Sequence, residues 1–256
     1  MTDETTTTTE VAGGSNAGSS SSLRTLQTSV LNDTVNWCLG RPQGLQLTAS
    51  HTLTGGAALT RNFSQTWDGL KCRPTQQRLE PGNSQWQVTF GLAYDGFGNL
   101  ASRSVTGIGM SARTTTLNWG SRGQLPVSMT NPLSQTTALT WDYGIGLPLA
   151  MTDPNTLTVN WTYDAFGRPA QETRPDQTIT LWSRTACTAG CDSRTRYQLT
   201  QEEKDNAGLT QGTAIIDVDQ FGRGFRFASR QPGGGMAMIA ADSDAHGRVI
   251  RQYVPF

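Results

Sequence analysis

No apolar run in this chain approaches the roughly 18–20 residues that a membrane-spanning helix requires, so a helical membrane span is excluded. An excess of one charge is missing too. Twenty basic and twenty acidic residues cancel, with no basic cluster, which removes the electrostatic footprint of a nucleic-acid binder. Histidine is nearly absent: His51 and His246 are thin material for acid–base catalysis. No G-x-S-x-G elbow supports a Ser-His-Asp arrangement around His51. Four cysteines are too few for a disulfide scaffold in 256 residues. Hydrophobic residues make up 35% of the chain, against a usual share of about 45–50% counted with glycine. That scarcity suits two-faced, partly solvated sheets better than a thick core. No stretch of helical period competes with this reading.

Residues 1–22 (MTDETTTTTEVAGGSNAGSSSS) have neither a charged nor an apolar signal region. Their Thr, Ser and Gly content predicts a disordered lead, because it buries too little to offset the entropy of ordering. The expected localisation is secreted or cell-surface as part of a larger system, and cytoplasmic before export. The chain also reads as a piece of a longer one.

What the chain has in abundance is a repeat. Thr156 to Pro169 reads TLTVNWTYDAFGRP, with Leu157, Val159, Trp161 and Tyr163 alternating against Thr158, Asn160 and Thr162. That period of two, carried by β-branched and aromatic residues, predicts a half-buried strand. The Asp164–Arg168 segment after it is a turn: Asp bonds its own backbone two residues on, and Gly167 accepts a positive φ. Tyr94-Asp95, Trp141-Asp142, Val218-Asp219 and Ser243-Asp244 likewise precede DGFGN, DYGIG, DQFGR and DAHGR. A degenerate copy sits at Trp119-Gly-Ser-Arg-Gly123. Steps run from 22 to 25 residues, with one gap of 55 that holds Cys187-Thr-Ala-Gly-Cys191. LPVSMTNP, from Leu125, returns 22 residues later as LPLAMTDP. Two strands and two short turns therefore make each unit: a meander of antiparallel hairpins. The expected organisation is a lead over 1–22, then repeats over 23–256 with an inserted loop around 183–207. Strands before residue 80 are the least regular.

The pattern Tyr/Trp-Asp-x-x-Gly-Arg, best at Tyr163–Arg168, resembles the YD repeat of Rhs-type proteins, of the BC components of insecticidal Tc toxin complexes, and of teneurins. The resemblance covers roughly residues 60–256. It implies an all-β fold, a curved antiparallel sheet of YD hairpins forming part of a β-shell. In bacterial members such a shell encloses a toxic polypeptide, and in teneurins it is an adhesion scaffold. The implied function is structural: a segment, and a fragment, of a shell that encloses or presents a toxin or other polypeptide cargo. Its implied partners are that cargo or further YD repeats of a longer chain. An open strip also predicts self-association through unpaired edges.

Candidate sites are weighed against turn and core chemistry. Asp95, Asp142, Asp164, Asp219 and Asp244, with Tyr94, Gly98, Trp141, Tyr163, Gly167, Arg168, Gly222, Arg223, Gly247 and Arg248, form the structural repeat motif. The turn-end arginines Arg168, Arg223 and Arg248 are expected to pair with a neighbouring repeat's acid or carbonyl. Gln231-Pro-Gly-Gly-Gly235 reads as a hairpin loop rather than a phosphate loop, since no parallel strand or helix flanks it. Cys187 and Cys191 read as free or locally paired thiols, a disulfide, or half of a zinc site. Trp119, Trp141, Trp161 and Tyr163 either fill the apolar sheet face or form a sugar-stacking stripe. The stripe carries the alternative function, a carbohydrate- or cell-surface-binding adhesion module; an uncharacterised enzyme ranks third. No catalytic residue, metal or cofactor is assigned.

Overall fold

The computed structural model describes residues 3–9, 20–51, 58–188, 191–231 and 234–253. Among them there are strands and turns and no helix. The chain divides into two units, Met1–Gln135 and Thr136–Phe256.

The first unit holds β1 (Asp3–Thr9), β2 (Ser20–Asp33), β3 (Cys38–His51), β4 (Leu59–Trp67), β5 (Pro74–Leu79), β6 (Val88–Tyr94), β7 (Leu100–Gly107), β8 (Arg113–Asn118) and β9 (Ser128–Thr130). Each pairs antiparallel with the next in chain order. The second holds β10 (Thr136–Asp142), β11 (Leu147–Thr152), β12 (Thr158–Tyr163), β13 (Pro169–Thr173), β14 (Ile179–Ala186), β15 (Tyr197–Lys204), β16 (Thr210–Val218), β17 (Gly224–Arg230), β18 (Met236–Ser243) and β19 (Val249–Tyr253). These also pair antiparallel with their successors. The all-β meander expected from the alternation is the fold.

Two boundaries differ from the sequence reading. Asp3–Thr9 lies within the lead expected to be disordered, yet it forms β1 and pairs with Ser20–Leu26. A run of threonine, a β-branched residue, suits a strand once a partner strand satisfies its backbone; residues 10–19 lie outside the described residues. The inserted loop is also shorter than 183–207. Residues 183–186 and 197–204 extend β14 and β15 into an eight-pair ladder, leaving 187–196 as the connection.

Each unit is a sheet one strand thick, so its core is thin. The buried side chains are Cys38, Val218 and Phe225, with the polar Thr180 and Asp217. Asp217 is 2% exposed and satisfied across the strands: Arg226 Nε and Gln198 Nε2 both donate to it. The chain exposes 16,666 Å², against about 11,000 Å² for a globular chain of this mass. Apolar rows therefore stay open. In the second unit Leu199, Ile216, Phe227 and Ile239 stand directly opposite one another on β15 to β18. Three of these four are between 38% and 47% exposed.

Candidate functional site: the turn edges and the rows between them

Because consecutive strands run antiparallel, successive turns alternate between the two edges of a sheet. In the second unit Asp142, Asp164, Asp219 and Asp244 lie at the ends of β10, β12, β16 and β18, and so share one edge. Asp153, Arg174, Asp205 and Gln231 begin the turns of the other. In the first unit Asp68, Asp95 and Asn118 open turns on one edge, after β4, β6 and β8.

Nine turns share one hydrogen-bond pattern, starting at Asp95, Asn131, Asp153, Asp164, Arg174, Asp205, Asp219, Gln231 and Asp244. The first residue donates its N–H to the carbonyl four residues on, and its own carbonyl accepts from the N–H three residues on. The fourth residue is left-handed in every one, with φ between 63° and 97°. This is a type I turn closed by a G1 bulge. Glycine fills that position in six of the nine; Ser134, Thr156 and Gln177 fill it in the others. The Asp carboxylate completes the motif: Asp164 Oδ1 accepts from Phe166 N at 2.8 Å and Arg168 N at 3.0 Å. Asp219 and Asp244 repeat this with the corresponding amides.

The turn-end arginine closes chiefly on its own repeat; of the expected partners in a neighbouring repeat, an acid or a carbonyl, a carbonyl is met at Arg223. Nε of Arg168, Arg223 and Arg248 donates to Oδ2 of Asp164, Asp219 and Asp244 at 2.7, 2.8 and 2.7 Å. Arg223 alone also reaches the next turn, donating through a terminal nitrogen to Asp244 O at 3.3 Å. The Arg168 side-chain and backbone donors hold the Asp164 carboxyl below the usual carboxylate range. Backbone donation from Leu157 does the same for Asp153, and from Leu209 for Asp205.

The aromatic before the turn has a separate task. Tyr163 Oη donates to Pro148 O at 2.7 Å, and Tyr94 Oη to Pro74 O at 2.8 Å. Trp119 Nε1 donates to Leu100 O at 2.8 Å, and Trp67 Nε1 to Pro42 O at 2.9 Å. Each acceptor lies in the strand that leaves the previous turn on the same edge, so the ring latches one hairpin to the one before. Only an aromatic with a polar tip spans that distance while covering apolar surface, which explains Tyr or Trp rather than Phe.

The four residues of the candidate sugar stripe are all half-buried. Trp119 and Tyr163 are latches, Trp161 Nε1 donates to Glu172 Oε2 at 3.0 Å, and Trp141 stands opposite Pro148. Trp119 belongs to the first unit and the other three to the second. Rings open to solvent lie elsewhere: Phe97, Phe166 and Phe221, at the third position of their turns, are 64%, 83% and 71% exposed, and Trp37 and Trp86 are also exposed. His246 occupies the same position in its own turn and is exposed.

Both cysteine pairs are disulfides. Cys38–Cys72 joins the start of β3 to the turn after β4, neighbours on one edge, and Cys187–Cys191 closes the connection after β14. Among the described residues no group of three or more His, Cys, Asp or Glu could hold a metal. Sequence reasoning passed over the turn at Asp68, one residue longer with Cys72 at φ 53°, and the turn at Asp205, preceded by lysine instead of an aromatic.

Residues 141–179, from the Trp141-Asp142 pair through the Tyr163–Arg168 turn, match the RHS Repeat family. That segment carries an RHS repeat. None of the curated proteins compared with it matches. Among solved structures it is similar to the Tc toxin crystal structure of TcdB2-TccC3, with TM-score 0.63 and 11% identity over 93% of this chain and 18% of that one. TcdB2-TccC3-TEV and TcdB2-TccC3-Cdc42 follow with TM-scores of 0.57 and 0.56, each at 14% identity over 90% of this chain and 13% of theirs. At these identities the likeness is one of fold: the antiparallel sheet is similar to that of the Tc toxin β-shell. The chain spans less than a fifth of the length of those it matches.

Proposed function

We propose that this chain is a structural segment of an Rhs/Tc-like shell that encloses or presents a polypeptide. The observation that carries the reading is the open apolar row Leu199–Ile216–Phe227–Ile239 on a sheet one strand thick. A finished globular enzyme would cover such a row with a second layer. Here a polypeptide held against the sheet, or further repeats, would cover it. The work is steric: a wall of latched hairpins keeps an enclosed chain from water and proteases. No chemistry is assigned, since the repeat's carboxylates are engaged in their own turns.

The setting proposed is a secreted or cell-surface assembly, reached after synthesis in the cytoplasm. Two disulfides support an oxidising destination. No helix among the described residues is long and apolar enough to cross a membrane. The test is trypsin treatment of the full-length protein in which this chain occurs. Survival of a segment that is cut when produced alone supports enclosure, and digestion of that segment at its free rate refutes it.

A further inference from the structure

The loop from Ser193 to Arg196, the turn Asp219–Arg223 with the start of β17, and the end of β18 surround a cleft of about 470 Å³. That volume lies within the roughly 300–1,000 Å³ of small-molecule sites. The carboxylates at the cleft are already engaged. Asp192 and Asp242 both hold Arg194, at 3.2 and 2.7 Å, and Asp219 holds Arg223 at 2.8 Å. Its donors are not. Arg196 is exposed and its guanidinium has no partner among the described residues; the Ser193 and Ser243 hydroxyls on the rim have none either.

The Arg196 backbone is fixed at both ends of its peptide. Its N–H donates to Val218 O at 2.7 Å, and its carbonyl accepts from Cys187 N at 3.2 Å within the disulfide-closed connection. The walls are aromatic. Arg194 lies over Phe225 at 4.4 Å and Arg223 over Phe221 at 4.8 Å, and Phe221 is 71% exposed.

A cleft with unpaired donors, engaged carboxylates and an exposed aromatic ring suits a ligand that brings its own acceptors. The geometry points to an acidic-sugar site. The sugar carboxylate pairs with Arg196, ring hydroxyls meet Ser193 and Ser243, and the apolar sugar face lies on Phe221. The site sits at the turn edge and is independent of the shell reading.

The test is titration of the 256-residue chain with glucuronate, followed by backbone amide shifts, with glucose and acetate as comparison probes. Saturable shifts at residues 193–196 and 220–222 are expected with glucuronate. Glucose, lacking the carboxylate, and acetate, lacking the ring, should each bind at least about tenfold more weakly. Arg196→Gln should weaken glucuronate about tenfold or more, with Arg196→Lys recovering part of the loss. Absence of saturable shifts, or unchanged affinity in an Arg196→Gln chain with a native spectrum, overturns the site. Acetate binding as tightly as glucuronate overturns the sugar assignment. If Arg196→Gln does not fold, the comparison of glucuronate with glucose decides alone.

Discussion

Removing the Cys38–Cys72 disulfide should loosen the first unit far more than removing Cys187–Cys191 loosens the second. The bond joins cysteines 34 residues apart, whereas the other pair is separated by 4. Chain-entropy bookkeeping gives about 3.8 kcal/mol for the long closure and about 2 kcal/mol for the short one. Cys38 is fully buried and sits close to Gly69 O, so the bond also pins the Asp68 turn against the start of β3. Repeat sheets lose structure locally, so amide hydrogen exchange resolved by strand is a better assay than a single melting curve. In a Cys38→Ala/Cys72→Ala chain, amides of β3 to β5 should exchange several hundredfold faster, the factor that about 3.8 kcal/mol corresponds to. Amides of β15 to β17 should be unaffected. Equal acceleration in both units, or none in β3 to β5, would refute the reasoning.

Tyr163→Phe deletes the 2.7 Å latch to Pro148 O without emptying the site, and should cost about 1 kcal/mol in urea unfolding. Thr156→Gly relieves a β-branched residue at φ 66° and should stabilise the chain by about 1 kcal/mol, while Gly167→Ala at φ 75° should destabilise it similarly; the opposite pair of signs in thermal melts would contradict the turn assignment. The turn carboxylates set the pH response. Side-chain and backbone donation from Arg168 lowers the pKa of Asp164, and Leu157 and Leu209 amides lower those of Asp153 and Asp205. A folded pKa below the unfolded value gives stability that is full above the unfolded pKa and lost as pH falls through the folded one. Unfolding midpoints should therefore hold down to about pH 4 and then decline; a flat profile to pH 2 in circular dichroism would count against these bonds.

Much of the fold was readable because alternation and turn chemistry agree along the chain. Val159, Trp161 and Tyr163 mark the strand, and Asp164 with Gly167 marks the turn. Where the two signals part, the reading failed. Tyr197–Lys204 is Gln- and Glu-rich and looks like a loop; its strand rests on backbone pairing with both neighbours. The turns at Asn131 and Asp153 are readable from their Asn/Asp-Pro pairs, but Ser134, Thr156 and Gln177, in the left-handed position, hide that these turns and the one at Arg174 share the geometry of the Asp-Gly turns. The Cys38–Cys72 bond becomes visible only once alternate turns are placed on one edge, a fact of topology rather than of spacing. The turn arginine was assigned outward because sequence gives no direction for its side chain; the bulged turn brings it back to its own Asp. The cleft beside Arg196 left no signal, since its parts come from two separate connections and a strand end.

The central claim is that the open apolar row of the second unit is covered in the complete assembly. Hydroxyl-radical footprinting of Leu199, Phe227 and Ile239, in the isolated chain and in the full-length protein, measures this directly. The account predicts ready labelling of these side chains in the isolated chain and strong protection in the full-length protein. Phe166, 83% exposed at a turn tip, serves as a reference that stays labelled in the isolated chain. Equal labelling of the row in both forms would mean that nothing lies against the sheet, and would contradict the shell-wall function.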